Sequence, residues 1–194
     1  MNIGLTGGIG CGKSTVAAYF SSQGWKTINT DSVVADLLQN ELTIREHLSQ
    51  RWGREVFSPS DGAVDRKVVA RNVFSNPDEL AWLEGLLHPL VRRHWISQLD
   101  QDGSTLCLVE IPLLFEKSLE SHFDLVVCVV THDSVSDSRL LSRGLNATDI
   151  AHRRRRQLAL DDKVRLADHV LLNSGTIDFL KKQTLRLIQQ IQPQ

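Results

Sequence analysis

The chain has 194 residues, 41% of them hydrophobic and 23% charged, with a formal net charge of −1. That length suits one domain able to bury a real core, and the near-neutral balance lacks the global basic character of a nucleic-acid binder. The longest apolar run, Leu106 to Phe115, is interrupted by Glu110 and Pro112 and is too short to span a bilayer.

In chain order, Asn2 to Thr6 reads as a short buried strand. Directly after it, Gly7-Gly8-Ile9-Gly10-Cys11-Gly12-Lys13-Ser14 fits G-x-x-x-x-G-K-[ST], a loop that cradles a polyphosphate. Its glycines let successive backbone N–H groups turn inward. Lys13 would reach the outer phosphates, facing solvent until they arrive, and the Ser14 hydroxyl would hold Mg²⁺. Lys13 to Phe20 then reads as a helix, whose positive dipole end strengthens the same field. Strand, glycine loop, helix is the order the motif requires. A dinucleotide fingerprint fits less well, because Lys13 stands where its last Gly or Ala belongs.

Trp25 to Asn29 reads as a second strand, and Thr30-Asp31-Ser32 leads into a helix from Val33 to Leu38. From Glu41 to Gln101 the pattern is helical and poor in strands. Within it, Ser58 to Gly62 is a Pro–Asp–Gly turn, and Asn76-Pro77-Asp78-Glu79 caps and starts a helix. Leu80, Leu83, Leu87, Leu90 and His94 keep helical spacing there, and Pro89 is expected to kink or break that helix near His88. Strands return at Thr105 to Glu110, Asp124 to Val130 and His169 to Leu172, as continuous apolar runs suited to parallel pairing. Arg139 to Arg165 is helical and rich in arginine. In the last helix Ile177, Leu180, Leu187, Ile188 and Ile191 are placed on one face. The alternation predicts an α/β fold with a five-stranded parallel sheet flanked by helices, with ligands at the carboxyl ends of the strands. The core is expected over about 1–34, 101–136 and 166–194, a helical insertion over about 35–100 and a lid over about 137–165.

Asp31 follows the second strand at that edge, where a carboxylate either takes a proton from an attacking hydroxyl or simply caps the next helix. Glu110, ending the third strand, is placed to hold a Mg²⁺-bound water or to be an ordinary polar strand end, and Glu116 to do the same or face solvent. Arg139 and Arg143 share a helix face at a spacing of four, and in the run from Arg153 to Gln157 the residues Arg153, Arg156 and Gln157 share one while the middle two point elsewhere. A lid bringing arginines to a transferring phosphate is favoured over a solvated face or a nucleic-acid patch. Asp100-Gln101-Asp102-Gly103 fits DxxG but precedes its strand, and no NKxD occurs, so a GTP switch is disfavoured.

Cys107 and Cys128 read as small core residues, and the odd count of three without a CxxC pair suits a reducing cytoplasm. Cys11 reads as a small side chain that fits its loop. Its position beside Lys13 and a helix N-terminus also predicts a favoured thiolate that MgATP would protect.

The chain as a whole resembles the dephospho-coenzyme A kinases. The resemblance rests on Ile3 to Thr15, Asp31 with Ala35, Asp65-Arg66, Val73-Phe74-Ser75, Leu87-His88-Pro89-Leu90, Ile111 to Glu116, Arg139, Arg143, Gln157, Lys163, Ala167-Asp168 and Asn173-Ser174-Gly175. It implies a P-loop NTPase fold of the nucleotide-kinase type that uses ATP and Mg²⁺ to phosphorylate the ribose 3′-hydroxyl of dephospho-CoA. By the resemblance Asp31, Lys13, Arg139 and Arg143 are catalytic, with both arginines in the lid, and Asp31, Arg66 and His88 meet the acceptor. ATP would be bound by Gly8, Gly10, Cys11, Gly12, Lys13, Ser14 and Thr15, with its adenine at Asn173. A cytoplasmic monomer without nucleic-acid or membrane partners is expected. The departures are Cys11 where Ser is common, Glu110 where Asp is common, and a denser arginine run at 153 to 156 of which only Arg153 matches. The rival readings are a kinase for another small acceptor and a nucleotide switch without catalysis.

Overall fold

The computed structural model describes residues 1–99 and 105–192. The tetrad Asp100 to Gly103 and the side chains of Phe74 and Ser75 lie outside the described residues. The chain divides into two compact units, Met1–Asn29 with Leu99–Gln194 and the intervening Thr30–Gln98.

The first unit is a five-stranded sheet in the order β2-β3-β1-β4-β5, built from β1 (Asn2–Gly7), β2 (Lys26–Asn29), β3 (Cys107–Glu110), β4 (Leu125–Val130) and β5 (His169–Leu172). Every pairing is parallel, with Leu5 beside Glu110 and Val127, so all five carboxyl ends share one edge. β3 is buried along its whole length, as its apolar run demands. Helix α1 (Lys13–Ser22) and, at the other end of the chain, α9 (Ile177–Ile191) pack with the sheet around Ile3, Leu5, Val16, Phe20, Leu180 and Ile188. Phe20 and Trp25 meet edge to face with ring centroids 5.1 Å apart. Ile177 departs from the expected stripe and is exposed: it is the first residue after the Thr176 cap, before the helix turns its apolar face inward. The arginine-rich stretch is three short helices, α6 (Asp133–Ser142), α7 (Ala147–Arg155) and α8 (Leu160–Leu166). Gly144, at φ 84°, turns the chain between the first two.

The second unit is helical. α2 (Thr30–Asn40), α3 (Leu42–Trp52), α4 (Arg66–Ser75) and α5 (Pro77–Ile96) enclose Leu38, Ile44, Leu48, Val56, Val69 and Leu87. The turn at 58 to 62 forms as its residues dictate: Asp61 accepts from the Ala63 amide, Gly62 takes φ 67°, and Phe57 bridges Val64. Asn76 caps α5 through the Asp78 amide. α5 nevertheless runs on through Pro89, so of the kink or break expected near His88 the break does not occur. The carbonyl that loses its helical donor to Pro89 is that of Gly85, which is exposed and so open to water. Buried Leu83, Leu87, Val91 and Trp95 hold both halves of the helix to the core.

Candidate active site

The phosphate-binding motif folds as strand, loop and helix, with the loop at the carboxyl edge of β1 between β3 and β4. Gly12 sits at φ 92°, and a Cβ there would collide with Nδ2 of Asn173. Gly7, at φ 143°, passes so close to β4 that a Cβ would strike the Val129 carbonyl. Among the described residues α1 begins from Gly12 with no side-chain cap, like α3, α6 and α8 and unlike α4, α5, α7 and α9. Its first amides are therefore left to other acceptors, as anion binding requires.

Lys13 does not face solvent as expected. It is only 8% exposed, and its Nζ donates to the carbonyls of Gly7 (3.3 Å) and Gly8 (3.0 Å) inside the loop. An ammonium with three donors takes the nearest strong acceptors, and in a tight glycine loop these are backbone carbonyls. Cys11 is likewise 1% exposed. Burial outweighs nearby Lys13 and raises its thiol pKa, so the favoured thiolate expected from position alone is not what the loop provides. On β4, buried Cys128 is pushed up to about 12 for the same reason. Among the described residues all three cysteines are free thiols, and Cys107 and Cys128 are buried as expected.

Asn173, one residue past β5, braces this loop. Its Nδ2 donates to the Cys11 carbonyl at 2.7 Å, and Thr131 Oγ1 donates to its backbone oxygen at 2.9 Å. Arg139 on α6 donates from Nη2 to Asn173 O and Oδ1 at 3.2 and 3.3 Å. The other terminal nitrogen, Nη1, is buried without a hydrogen-bond partner and would lie 3.9 Å from a Cβ at Gly12. A buried guanidinium nitrogen without an acceptor is unfavourable unless an anion completes it. Arg143 is not brought to the same place: it is the first residue beyond α6 and is exposed.

A cavity of about 190 Å³ adjoins the loop, lined by Gly8, Ile9, Thr131, Arg154, Gln157 and Leu160 among others. Gln157 accepts from the Ile9 amide through Oε1 at 3.0 Å. Arg154, expected to point elsewhere, faces this cavity and pairs with Asp137 at 2.6 Å, Asp133 at 3.3 Å and Ser136 at 2.8 Å. The end of α7 turns at Arg156, so helical spacing carried through Gln157 misassigns the faces.

Glu110, at the end of β3, does not face solvent. It is buried, and Oε2 accepts from Asn29 Nδ2 on the neighbouring strand at 2.8 Å. Glu116 is also not solvent-facing: its Oε1 pairs with Lys163 at 2.8 Å. Exposed Ser14, in the first turn of α1, offers an open hydroxyl to a cation. Among the described residues no group of three or more His, Cys, Asp or Glu side chains could cage a metal. A Mg²⁺ here would fit with Ser14 and oxygens from phosphate and water, the hard ligands that this strongly hydrated ion takes in nucleotide sites.

In the second unit, Asp31 is exposed in the first turn of α2, two residues past β2. It follows the first helical residue, Thr30, and so is not the cap itself. Arg66 is exposed at the start of α4, after its cap Asp65. His88 is exposed on α5, 4.0 Å from Glu84. No helix among the described residues is long and apolar enough to cross a membrane.

The family model described as dephospho-CoA kinase matches residues 1–178. A dephospho-CoA kinase of Corynebacterium glutamicum is 33% identical over 195 residues, covering 98% of this chain and 97% of its own. A crystal structure from Thermus thermophilus superposes with a TM-score of 0.79 at 32% identity, over 100% of this chain and 98% of the other. The dephospho-CoA kinase of Campylobacter jejuni superposes with a TM-score of 0.73 at 26% identity, over 98% and 96%. The parallel sheet with its phosphate loop is thus the P-loop kinase fold, and the chain belongs to the dephospho-CoA kinase family.

Proposed function

We propose that this kinase transfers the γ-phosphoryl group of MgATP to the ribose 3′-hydroxyl of dephospho-CoA, giving coenzyme A and ADP in the last step of coenzyme A synthesis. The observation that carries nucleotide binding is the uncapped phosphate loop with the unpartnered Nη1 of Arg139 buried beside it. Membership of the family supplies the acceptor. The bond from the γ-phosphorus to the acceptor 3′-oxygen forms as its bond to the β–γ bridging oxygen breaks, and the electron pair leaves with ADP. Asp31, at the carboxyl end of β2, takes the hydroxyl proton. The loop amides, Lys13 and Arg139 hold the polyphosphate, and Asn173 serves by fixing both loop and arginine. Arg143 is assigned to the lid, and Arg66 and His88 to the acceptor. Magnesium, which Ser14 would help to hold, would offset the negative charge that develops on the phosphoryl group.

Measuring ADP release from MgATP with dephospho-CoA, against a panel of nucleosides and small alcohols, tests the reading. Saturable release confined to dephospho-CoA is expected. A better acceptor in the panel would assign another substrate to the same machinery.

A further inference from the structure

Glu116 lies in the one-turn helix Phe115–Lys117 that follows β3. Its Oε1 receives two donors, Lys163 Nζ at 2.8 Å and the Leu158 amide at 2.7 Å. Lys163, on α8, is 0% exposed and also donates to the Pro112 carbonyl at 2.8 Å. Oε2 of Glu116 is buried with no partner. A buried ion pair of this kind adds little stability over an apolar pair of similar volume, because both charges must leave water. Its retention calls for another explanation, and its position supplies one.

Leu158 is the residue after Gln157. Glu116 therefore anchors the backbone at the point where α7 ends and α8 has not yet begun. From that anchored segment Gln157 reaches the phosphate loop and takes the Ile9 amide at 3.0 Å. The connection runs from the end of β3 through Glu116, Leu158 and Gln157 to Ile9, with Lys163 paired to the same Glu116 oxygen. We propose that Glu116 and Lys163 are positioning residues, which fasten the α7–α8 junction to the sheet so that Gln157 fixes the geometry of the phosphate loop. Neither touches the reacting atoms. Both act through Gln157, and their effect on turnover rests on the phosphoryl transfer proposed above.

The test replaces the pair by apolar groups of similar volume, Glu116→Leu with Lys163→Met, alone and together with Gln157→Ala. The apolar pair should still fold and melt cooperatively, because the ion pair itself adds little over an apolar pair. If the pair positions Gln157, kcat should nevertheless fall about 10- to 100-fold, the scale of loss from a displaced reacting group. Gln157→Ala should fall by a similar factor, and the triple variant no further, because all three changes break one connection. The amide resonance of Ile9 should shift alike in the apolar pair and in Gln157→Ala, a readout independent of activity. Should the wild-type protein show no transfer to dephospho-CoA, the proposed function fails while the Ile9 resonance still decides this point. Wild-type kcat with an unmoved Ile9 resonance in the apolar pair would overturn the proposal. So would losses that multiply in the triple variant, or failure of the apolar pair to fold, which would make Glu116 and Lys163 simply part of the core.

Discussion

Lys13 has two jobs whose loss is separable. Replacing it by Ala removes a preorganised charge, and kcat should fall by about 10²–10³. Because Nζ is bonded to Gly7 and Gly8 carbonyls, the variant should also lose about 1–3 kcal/mol of stability, read by denaturant unfolding. An equally stable variant would mean that the loop does not need its lysine to keep its shape. Cys11 follows from the same packing. Burial disfavours its thiolate and shields the sulfur, so at neutral pH a thiol reagent should modify it far more slowly than an exposed cysteine. Rapid labelling of the folded protein would contradict that. Asp31 is a sharper case. It is exposed in the first turn of α2, not at its cap, so Asp31→Asn should lose at most about 0.3–1 kcal/mol of helix-dipole interaction. If it is the base, kcat should fall at least about a hundredfold with the KM for ATP little changed. Near-normal kcat would leave Asp31 a solvated helix residue. The places of the loop and of Asp31 were legible in the sequence, because motif spacing and a strand end fix them. The partners of Glu116 and Lys163 were not, since residues 9, 116, 158 and 163 meet only through the tertiary fold and no local period encodes the meeting.

Among the elements, the strands were the easiest to read. Apolar runs such as Leu125–Val130 have few structures open to them other than a strand covered on both faces. Pro89 misleads because the lost backbone donor falls at exposed Gly85, and the burial of Leu83, Leu87, Val91 and Trp95 along the same helix outweighs it. The arginine-rich stretch is harder, because polar helices lack a stripe that marks their ends. α7 buries only Ile150 among its residues and is held chiefly by polar contacts such as Arg154 with Asp137. Its amides over residues 147–155 should therefore exchange faster than those of β1 or β4 in the protein alone. With a non-hydrolysable ATP analogue and dephospho-CoA they should become protected, as a closing lid requires. Unchanged exchange would make this stretch a static charged surface.

At the scale of the molecule, the account joins a phosphate loop, an arginine-bearing stretch and a helical insertion into one phosphoryl-transfer enzyme. The insertion has its own core around Ile44, Leu48 and Leu87, and the sheet has another around Ile3, Leu5 and Leu180. What no spacing encodes is the identity of the acceptor, which rests on similarity across residues 1–178. The central claim is therefore a claim about one bond, and phosphorus–proton correlation NMR on the product of MgATP and dephospho-CoA addresses it directly. The new phosphorus resonance should couple to the ribose H3′ proton, with one ADP formed for each product molecule. Coupling to another ribose proton, or release of inorganic phosphate without a phosphorylated acceptor, would contradict it.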